Sequence, residues 1–231
     1  MLEYNKQDLP IPFRMVKEGR GGTFGFHLPT PSDHASEVAE KKFSHDRASI
    51  LRIGTYACRT CVGFYYKIDD ERCFFAHIDA FVTDPESDAI PPEDRLISDA
   101  EGKDLQARVL AALKEEAYRY SWSWIPLAGH KAVACCPQLV LGGRKLAGQY
   151  VLAAIREFLG DLSLEMLDDA DGFIVEHQKD TIDHVFQYDK TAIVGHPPRA
   201  VGLGYYVPRD QQGDKWTFEI VRVTDKRRMS V

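Results

Sequence analysis

The stretch that decides the fold runs from residue 50 to residue 81 and reads ILRIGTYACRTCVGFYYKIDDERCFFAHIDAF. Three segments in it have the composition of β-strands, and the last two flank the polar sequence Asp69-Asp70-Glu71. We therefore predict a strand followed by a β-hairpin. Pairing Lys67 with Glu71 gathers the even-numbered residues of both hairpin strands on one almost purely apolar face. A one-residue slip would turn that face outward, so the apolar pattern restricts the register.

The same pairing places two reactive side chains on the opposite face of the hairpin. It sets Cys61 directly across from His77, and directly opposed residues have Cβ atoms about 4.5–5.5 Å apart. A cysteine is nucleophilic as its thiolate, which a neighbouring imidazolium stabilises. The same imidazolium can protonate a departing amine and afterwards activate water. The pattern therefore predicts a cysteine–histidine pair suited to acyl transfer.

A third polar group usually orients the histidine of such a pair. Our candidate is Thr55, six residues before Cys61 at the end of the preceding strand. The alternative is Asp79, which lies two residues beyond His77 on the same strand face. Residues i and i+2 of a strand are about 6.6 Å apart, which is long for a direct hydrogen bond. The sequence favours Thr55 and leaves Asp79 as a possible supporting residue.

Other interpretations of these residues stay open. A cysteine and a histidine on paired strands can simply be packed residues. The spacing Cys58-x2-Cys61-x11-Cys73-x3-His77 also scans like a set of zinc ligands. However, the last two of these residues are about 13 Å apart in an extended strand, so a shared ion would need a bulge. A redox Cys58-x-x-Cys61 pair would need a helix after its second cysteine, where VGFYYKI indicates a strand. We predict a site without metal or cofactor.

The composition of the whole chain excludes several classes of protein. The 231 residues carry a formal net charge of −6, 44% of them are hydrophobic, and the sequence pI is about 5.8. These values are typical of a globular protein of one domain. We expect no membrane span and no secretory signal, because no apolar run is long enough. The acidic balance argues against nucleic acid as a partner.

The cysteines indicate the compartment. The chain has five, an odd number, and Cys135 and Cys136 are adjacent, so that on a strand they would point to opposite faces. This is a poor framework for disulfides. We therefore expect a reducing, cytoplasmic location, where unusual cysteines tend to be reactive or metal-binding.

The flanking segments predict the rest of the molecule. Residues 1–47, rich in Pro, Gly, His and charge, are expected to form an extended or partly mobile N-terminal leader, and residues 48–231 the folded domain. Further strands are predicted in AVACCPQLVL, GFIVEHQ, DHVFQYD, RAVGLGYYV and KWTFEIVRV.

Two helices complete the prediction. The first has Leu105, Val109, Leu113, Ala117 and Tyr120 on one face, with a capping box formed by the residues at 98 and 101 just upstream. The second runs from about residue 146 to a glycine C-cap at residue 160. Mostly strands with two helices predict an α+β fold: a single domain with a central β-sandwich or layered mixed sheet flanked by helices.

The residues around Cys61 resemble those of a known family. GTYACRTC, followed sixteen residues after its last cysteine by the His77 of FFAHID, resembles the Thr-x5-Cys…His arrangement of CheD-type chemoreceptor glutamine deamidases. That superfamily includes deamidating toxins related to cytotoxic necrotizing factor. The segment PQLVLGGRKLAGQYVLAAIREFLGDLSLEMLDDADG is similar to the strand, glycine turn, helix and strand that follow the active site of CheD. Thr60-Cys61 and His77-x-Asp79 are similar to protein N-terminal asparagine amidohydrolases, which are distant relatives.

The resemblance covers roughly residues 48–175 and implies a Cys-His-Thr site that hydrolyses carboxamides. It implies that Cys61 is the nucleophile, His77 the general base and acid, and Thr55 the residue that orients His77. The Gly-Ser-Cys or Gly-Thr-Cys usual in the bacterial family is Arg59-Thr60-Cys61 here, so the oxyanion hole is not assigned. By analogy with other acyl-transfer sites, we expect backbone N–H groups near Cys61 to supply it.

We therefore predict a cysteine amidohydrolase, or deamidase, that acts on a protein or small-molecule carboxamide through a thioester acyl-enzyme. Two alternatives stay open. One is a catalytically silent binding module on the same scaffold, and the other is transglutaminase-type transfer of the acyl group to an amine. No nucleic acid or membrane is expected as a partner. The sequence leaves open which amide is the substrate and what the oligomeric state is.

Overall fold

The structure is a computed structural model that describes residues 14–26, 52–58, 60–83, 97–122, 131–141, 144–168, 170–185 and 213–221. Its strands are β1 (Arg14–Met15), β2 (Arg20–Gly25), β3 (Arg52–Thr55), β4 (Val62–Lys67), β5 (Arg72–Thr83), β6 (Ala132–Cys135), β7 (Val140–Leu141), β8 (Arg144–Lys145), β9 (Leu164–Leu167), β10 (Gly172–Glu176), β11 (Thr181–Val185), β12 (Asp214–Lys215) and β13 (Thr217–Val221). Its helices are α1 (Asp99–Arg119) and α2 (Ala147–Leu159).

Most of these strands form two mixed sheets. The larger sheet has the order β12-β2-β5-β4-β6-β9, with β13 parallel to the second half of β5. The smaller sheet has the order β1-β3-β10-β11, and β7 and β8 form a separate ribbon. The combination of two helices with mixed sheets confirms the predicted α+β class.

The larger sheet is covered on one face by the two helices. The even-numbered residues of the β4–β5 hairpin, such as Phe64, Phe74 and Ile78, share a buried cluster with Leu113 of α1 and Ile155 of α2. This is the apolar face that the sequence predicted. The contact is continuous, because α1 and α2 also pack against each other.

The opposite face of the larger sheet is covered by the smaller sheet. The odd-numbered Tyr65 and Phe75 share a second buried cluster with Ile53 of β3 and Phe173 of β10. Phe75 and Phe173 have ring centroids 5.3 Å apart across the two sheets. The hairpin is therefore buried on both faces, and the domain has three layers: helices, larger sheet and smaller sheet.

The predicted register of the hairpin is wrong by two residues. Gly63, rather than Cys61, lies opposite His77, and Lys67 lies opposite Cys73. The same register continued past the end of β4 sets Cys61 opposite Asp79. Because side chains alternate between faces, a slip of two residues leaves each of them on its original face, and the apolar pattern cannot detect it.

The turn of the hairpin explains this register. The backbone N–H groups of Ile68 and Asp69 both donate to the carbonyl of Arg72, at 3.0 and 3.1 Å. The Asp69 side chain accepts from the Glu71 N–H at 3.0 Å and pairs with the Arg72 guanidinium at 2.7 Å. Local polar contacts thus close the loop between Ile68 and Arg72, one residue later on each strand than the predicted pair of Lys67 and Glu71, which shifts the register by two residues.

Both predicted helices are present. Helix α1 begins with the predicted capping box, in which Ser98 and Glu101 bond to each other's backbone N–H. Its predicted core face is buried except for Tyr120, which follows the helix and is 41% exposed. Helix α2 ends at the predicted Gly160, whose φ of 60° is positive and therefore favours glycine.

Part of the predicted leader belongs to the folded domain. Strand β1 pairs with β3 in the smaller sheet, and β2 pairs with β5 in the larger sheet. Residues 14–26 therefore contribute to both sheets, whereas the rest of residues 1–47 lies outside the described residues. The strand predicted in RAVGLGYYV lies outside them as well. Of the two described helices, neither has both the length and the apolar character that a membrane crossing requires.

The three-layer arrangement predicts that both faces of β5 matter for stability. Phe74 and Phe75 are adjacent, point to opposite layers and are both fully buried. Replacing either by Ala should lower the free energy of unfolding by about 3–5 kcal/mol, because each change leaves a cavity in a core. Urea unfolding measures this, with Tyr118→Ala (87% exposed) as a control expected within about 0.5 kcal/mol of wild type. A Phe75→Ala protein as stable as the wild type would contradict burial between the sheets.

Candidate active site

His77 lies at the point where β5 changes neighbours. The first part of β5 pairs with β2 as far as Ala76, and the second part pairs with β13 from Asp79 onward. Between these two ladders the N–H of Gly19 donates to the His77 carbonyl at 2.9 Å. The His77 side chain is 1% exposed. A break in strand pairing thus gives a buried histidine a neighbouring turn that comes from a distant part of the chain.

A hydrogen-bonded chain joins His77 to the smaller sheet. The Oγ1 atom of Thr55, at the end of β3, lies 2.8 Å from Nδ1 of His77 and 2.8 Å from the carbonyl oxygen of Val16. Thr55 is 1% exposed, so the whole chain is buried. Val16 is itself held in place, because its N–H donates to the Gly54 carbonyl at 2.8 Å.

This chain selects the tautomer of His77. The Thr55 hydroxyl can donate one hydrogen bond, and the Val16 carbonyl can only accept. The hydroxyl therefore donates to Val16. The Thr55 oxygen must then accept its second hydrogen bond from Nδ1–H of His77. In the neutral imidazole the lone pair is consequently on Nε2. His77 is thus prepared to take a proton, or to bind a Lewis acid, at Nε2.

Cys61 lies beside two carboxylates. Its Sγ atom is 3.1 Å from Oδ1 of Asp79 and 3.5 Å from Oε1 of Glu18. The possible ligand atoms of Glu18, Cys61 and His77 all lie within 4.8 Å of one another. Cys61 and Asp79 are 4% and 9% exposed, whereas Glu18 is exposed. The thiol donates to carboxylate in this arrangement, and two negative charges oppose formation of a thiolate there.

Cys58 is the second thiol near the histidine, and its environment differs. Its Sγ atom is 3.9 Å from Nδ1 and 3.8 Å from Nε2 of His77, so it lies along the lone-pair direction of neither nitrogen. Burial, followed by a hydrogen bond with Cys135, raises the pKa of the Cys58 thiol well above its ordinary value. Cys58 is therefore a neutral packed thiol.

A tight turn places Glu18 at the site. The Arg20 N–H donates to the Lys17 carbonyl at 3.0 Å, and the third residue of this turn, Gly19, has a φ of 68°. A Cβ atom on Gly19 would also lie 2.1 Å from Oγ1 of Thr217. Glycine is thus required for two reasons, conformation and space. The turn brings an exposed acid from the N-terminal region to the Cys61 thiol.

Gly63 makes room for three side chains, those of Thr55, Cys58 and Cys135, which we call the inner wall of the site. It lies opposite His77, and a Cβ atom there would be 3.0 Å from Sγ of Cys135, 3.0 Å from Cγ2 of Thr55 and 3.1 Å from Sγ of Cys58. The missing side chain allows all three groups to approach β4. The position of Thr55 against His77 therefore depends on a glycine in the facing strand.

The structure places Oγ1 of Thr55 2.8 Å from Nδ1 of His77, and Sγ of Cys61 within 4.8 Å of a His77 ring nitrogen. It places Asp79 against the thiol of Cys61 instead of behind the imidazole, where it was the alternative orienting group. Thr60, the other possible supporting residue, is partly exposed and precedes Cys61. Its carbonyl lies close to Gly148, where an added Cβ atom would be only 2.9 Å away. Cys73, from the zinc interpretation, lies four residues before His77, opposite Lys67 on β4.

The sequence did not predict two groups that lie at the site, the Val16 carbonyl and the Glu18 carboxylate. Both lie in the segment predicted to be a leader. The available signal was the Glu18-Gly19 pair in a turn-like sequence, KEGRGG. That signal predicts a turn but does not reveal its neighbour, because the contact with β5 is made across 58 positions of sequence, from 19 to 77.

Comparison with known proteins does not assign this site. No protein-family model matches the chain, and no curated protein matches it. What the site can do therefore has to be argued from its own residues and their geometry.

The Thr55 hydroxyl is predicted to be essential to the buried chain. Thr55→Val keeps the shape but leaves the Val16 carbonyl and Nδ1 of His77 without this partner, and we expect a loss of about 1–3 kcal/mol in the free energy of unfolding. Thr55→Ser retains the hydroxyl and should lose clearly less. Chemical denaturation compares the two variants. Equal stability of Thr55→Val and wild type would contradict the hydrogen-bonded chain.

Gly63→Ala is predicted to crowd the inner wall and lower stability by about 1–3 kcal/mol. If contact with Cys135 contributes, the double variant Gly63→Ala/Cys135→Ala should recover part of that loss relative to the sum of the single changes. A coupling of about 0.5 kcal/mol or more, measured by urea unfolding of all four proteins, is the expected result. A harmless Gly63→Ala would mean that the wall is looser than its distances indicate.

Proposed function

We propose that the protein is a cysteine amidohydrolase that hydrolyses a carboxamide to a carboxylate at Cys61. The observation that supports this most is a thiol within 4.8 Å of a histidine whose tautomer leaves the Nε2 lone pair for proton transfer. The resemblance of these residues to CheD-type deamidases suggests the carboxamide as the substrate group, and the all-thiol state of the five cysteines fits a reducing, cytoplasmic location.

The proposed reaction has two halves. Nε2 of His77 takes the thiol proton as Sγ of Cys61 attacks the carboxamide carbon, forming the C–S bond. His77 then gives that proton to the amide nitrogen, the C–N bond breaks, and ammonia leaves. In the second half Nε2 takes a proton from water, the water oxygen attacks the thioester, the C–S bond breaks, and Nε2 returns the proton to Sγ of Cys61. The sum is a carboxamide plus water giving a carboxylic acid plus ammonia.

The two carboxylates have a role in this proposal. A primary carboxamide carries two N–H donors, and the departing ammonia is easily protonated, so acceptors on that side stabilise both. Asp79 would be one such acceptor. Its position on β5 is fixed by its backbone N–H, which donates to the Trp216 carbonyl at 3.1 Å. Glu18, on the exposed side, is the acceptor nearer to solvent.

The alkylation of individual cysteines tests the proposal directly. At neutral pH, iodoacetamide should modify Cys61 faster than Cys58 or Cys73, which burial keeps as neutral thiols with raised pKa values. His77→Gln should slow Cys61 by about tenfold or more, since about 1.4 kcal/mol of thiolate stabilisation is a factor of ten. Asp79→Asn should accelerate it, because a negative charge next to the thiolate is removed. Peptide mass spectrometry after timed quenching gives all rates.

Two controls make the alkylation result decisive. Unfolding curves show whether His77→Gln and Asp79→Asn retain the fold. The rates at the buried Cys58 and Cys73 are the internal control for Asp79→Asn, because misfolding would expose and accelerate these thiols as well as Cys61. If Cys61 is no more reactive than Cys58 in the folded wild type, the amidohydrolase proposal fails, and the silent binding module takes its place. Where Cys61 is selective, ammonia release from carboxamides with and without an added amine separates hydrolysis from acyl transfer.

A further inference from the structure

We propose that the site formed by Glu18, Cys61 and His77 binds a zinc ion, and that zinc and a substrate compete for it. The possible ligand atoms of these three residues already lie within 4.8 Å of one another. Asp79 lies beside this group, with Oδ1 3.1 Å from Sγ of Cys61, but it is not one of the residues whose ligand atoms all lie within 4.8 Å of one another. This set differs from the four-residue spacing considered in the sequence, because it omits Cys58 and Cys73 and includes an acid from the N-terminal region.

The donor atoms select the metal. One sulfur, one imidazole nitrogen and one carboxylate oxygen form a mixed set that Zn²⁺ accepts, with water or a further donor at the fourth tetrahedral position. Calcium and magnesium prefer oxygen alone, so the thiol and the imidazole disfavour them. Copper binds such donors as well, but blue-copper sites contain a second histidine, which this set lacks. The set therefore favours zinc.

The hydrogen bonds behind His77 are those of a metal ligand. A metal-bound histidine donates its other ring N–H to an acceptor, which fixes the ring and its tautomer. Here Nδ1–H donates to the Thr55 oxygen, and the Thr55 hydroxyl donates to the Val16 carbonyl. The Nε2 lone pair is therefore already prepared, and the imidazole loses little orientational freedom when the ion binds.

The charge around the thiol also favours a cation. Two carboxylates within 3.5 Å of Sγ oppose a thiolate while the site holds no positive charge. A divalent cation reverses this balance, since it attracts the thiolate and both carboxylates at once. Formation of the Zn–S bond releases the Cys61 proton to solvent, and no oxidation or reduction is involved.

The adjustment that the ion requires is small. With Zn–S near 2.3 Å and Zn–N near 2.0 Å, tetrahedral ligand atoms are about 3.5 Å apart. The present limit of 4.8 Å must therefore shrink by roughly one ångström. Sγ of Cys61 and Oε1 of Glu18 are already 3.5 Å apart, so the closure falls on the distances to the His77 ring nitrogen.

Zinc bound in this way would use the two atoms that the proposed hydrolysis needs, Sγ of Cys61 and Nε2 of His77. The metal-bound form is consequently unreactive toward alkylating reagents. The zinc site depends on these ligands alone, so an inactive binding module could also contain it, whereas the competition with a substrate rests on the proposed function.

Zinc titration of the full metal-stripped chain, followed with a competing chromophoric chelator, tests the inference. We expect one zinc per chain, and Glu18→Gln should weaken binding by about tenfold or more. Glu18 is exposed, so this variant is expected to fold. Glu71→Gln, an exposed acid at the hairpin turn, is the matched control and should bind as the wild type does. Cys61→Ser should lose binding, whereas Cys73→Ser should keep it.

Cobalt provides a readout of the ligands themselves. Co²⁺ in place of Zn²⁺ should give a thiolate-to-cobalt absorption band that disappears in Cys61→Ser. Zinc should also protect Cys61 from iodoacetamide in the wild type but not in Glu18→Gln at the same metal concentration. Binding that is absent, or that is unchanged by Cys61→Ser and Glu18→Gln, overturns the inference. Zinc binding by a protein whose Cys61 is unreactive without metal would uphold this inference while the amidohydrolase proposal fails.

Discussion

The buried chain from His77 through Thr55 to the Val16 carbonyl is the interaction on which the site depends. It joins the larger sheet, which carries His77 on β5, to the smaller sheet, where Thr55 ends β3 and Val16 follows β1. Each polar atom in it would otherwise be buried without this partner, which costs more than a mismatch at the surface. The packing of the two sheets therefore determines which nitrogen of the imidazole carries the lone pair.

The rest of the site follows from how β5 is built. Burial on both faces holds the strand between helices and smaller sheet, and the interruption between its two ladders admits the turn that carries Glu18. The result is a thiol that faces an imidazole prepared for proton transfer and two acids that oppose premature ionisation. Such a thiol can serve as a nucleophile once a substrate supplies hydrogen-bond donors, or as a ligand once a cation arrives.

Sequence reasoning found the faces of the hairpin but not its pairing. The alternation of apolar residues reports only parity, and the turn at Asp69 shifted the register by two residues, so Asp79 and not His77 continues the ladder opposite Cys61. The helices were predictable because capping and periodicity are local. Val16 and Glu18 were not, because a parallel pairing and a backbone contact bring them to β3 and β5 from a segment with little periodicity.

Both proposals, hydrolysis and zinc binding, require the same lone pair, so the tautomer of His77 is the measurement that tests the account most directly. Long-range ¹H–¹⁵N correlation spectra of metal-stripped protein, assigned by comparison with His77→Gln, distinguish the two neutral forms. We predict a protonated Nδ1 and an unprotonated Nε2 at neutral pH, with the Thr55 hydroxyl donating its hydrogen bond to the Val16 carbonyl. A neutral imidazole protonated at Nε2 would contradict it, because neither the thiol proton nor a zinc ion could then be accepted there.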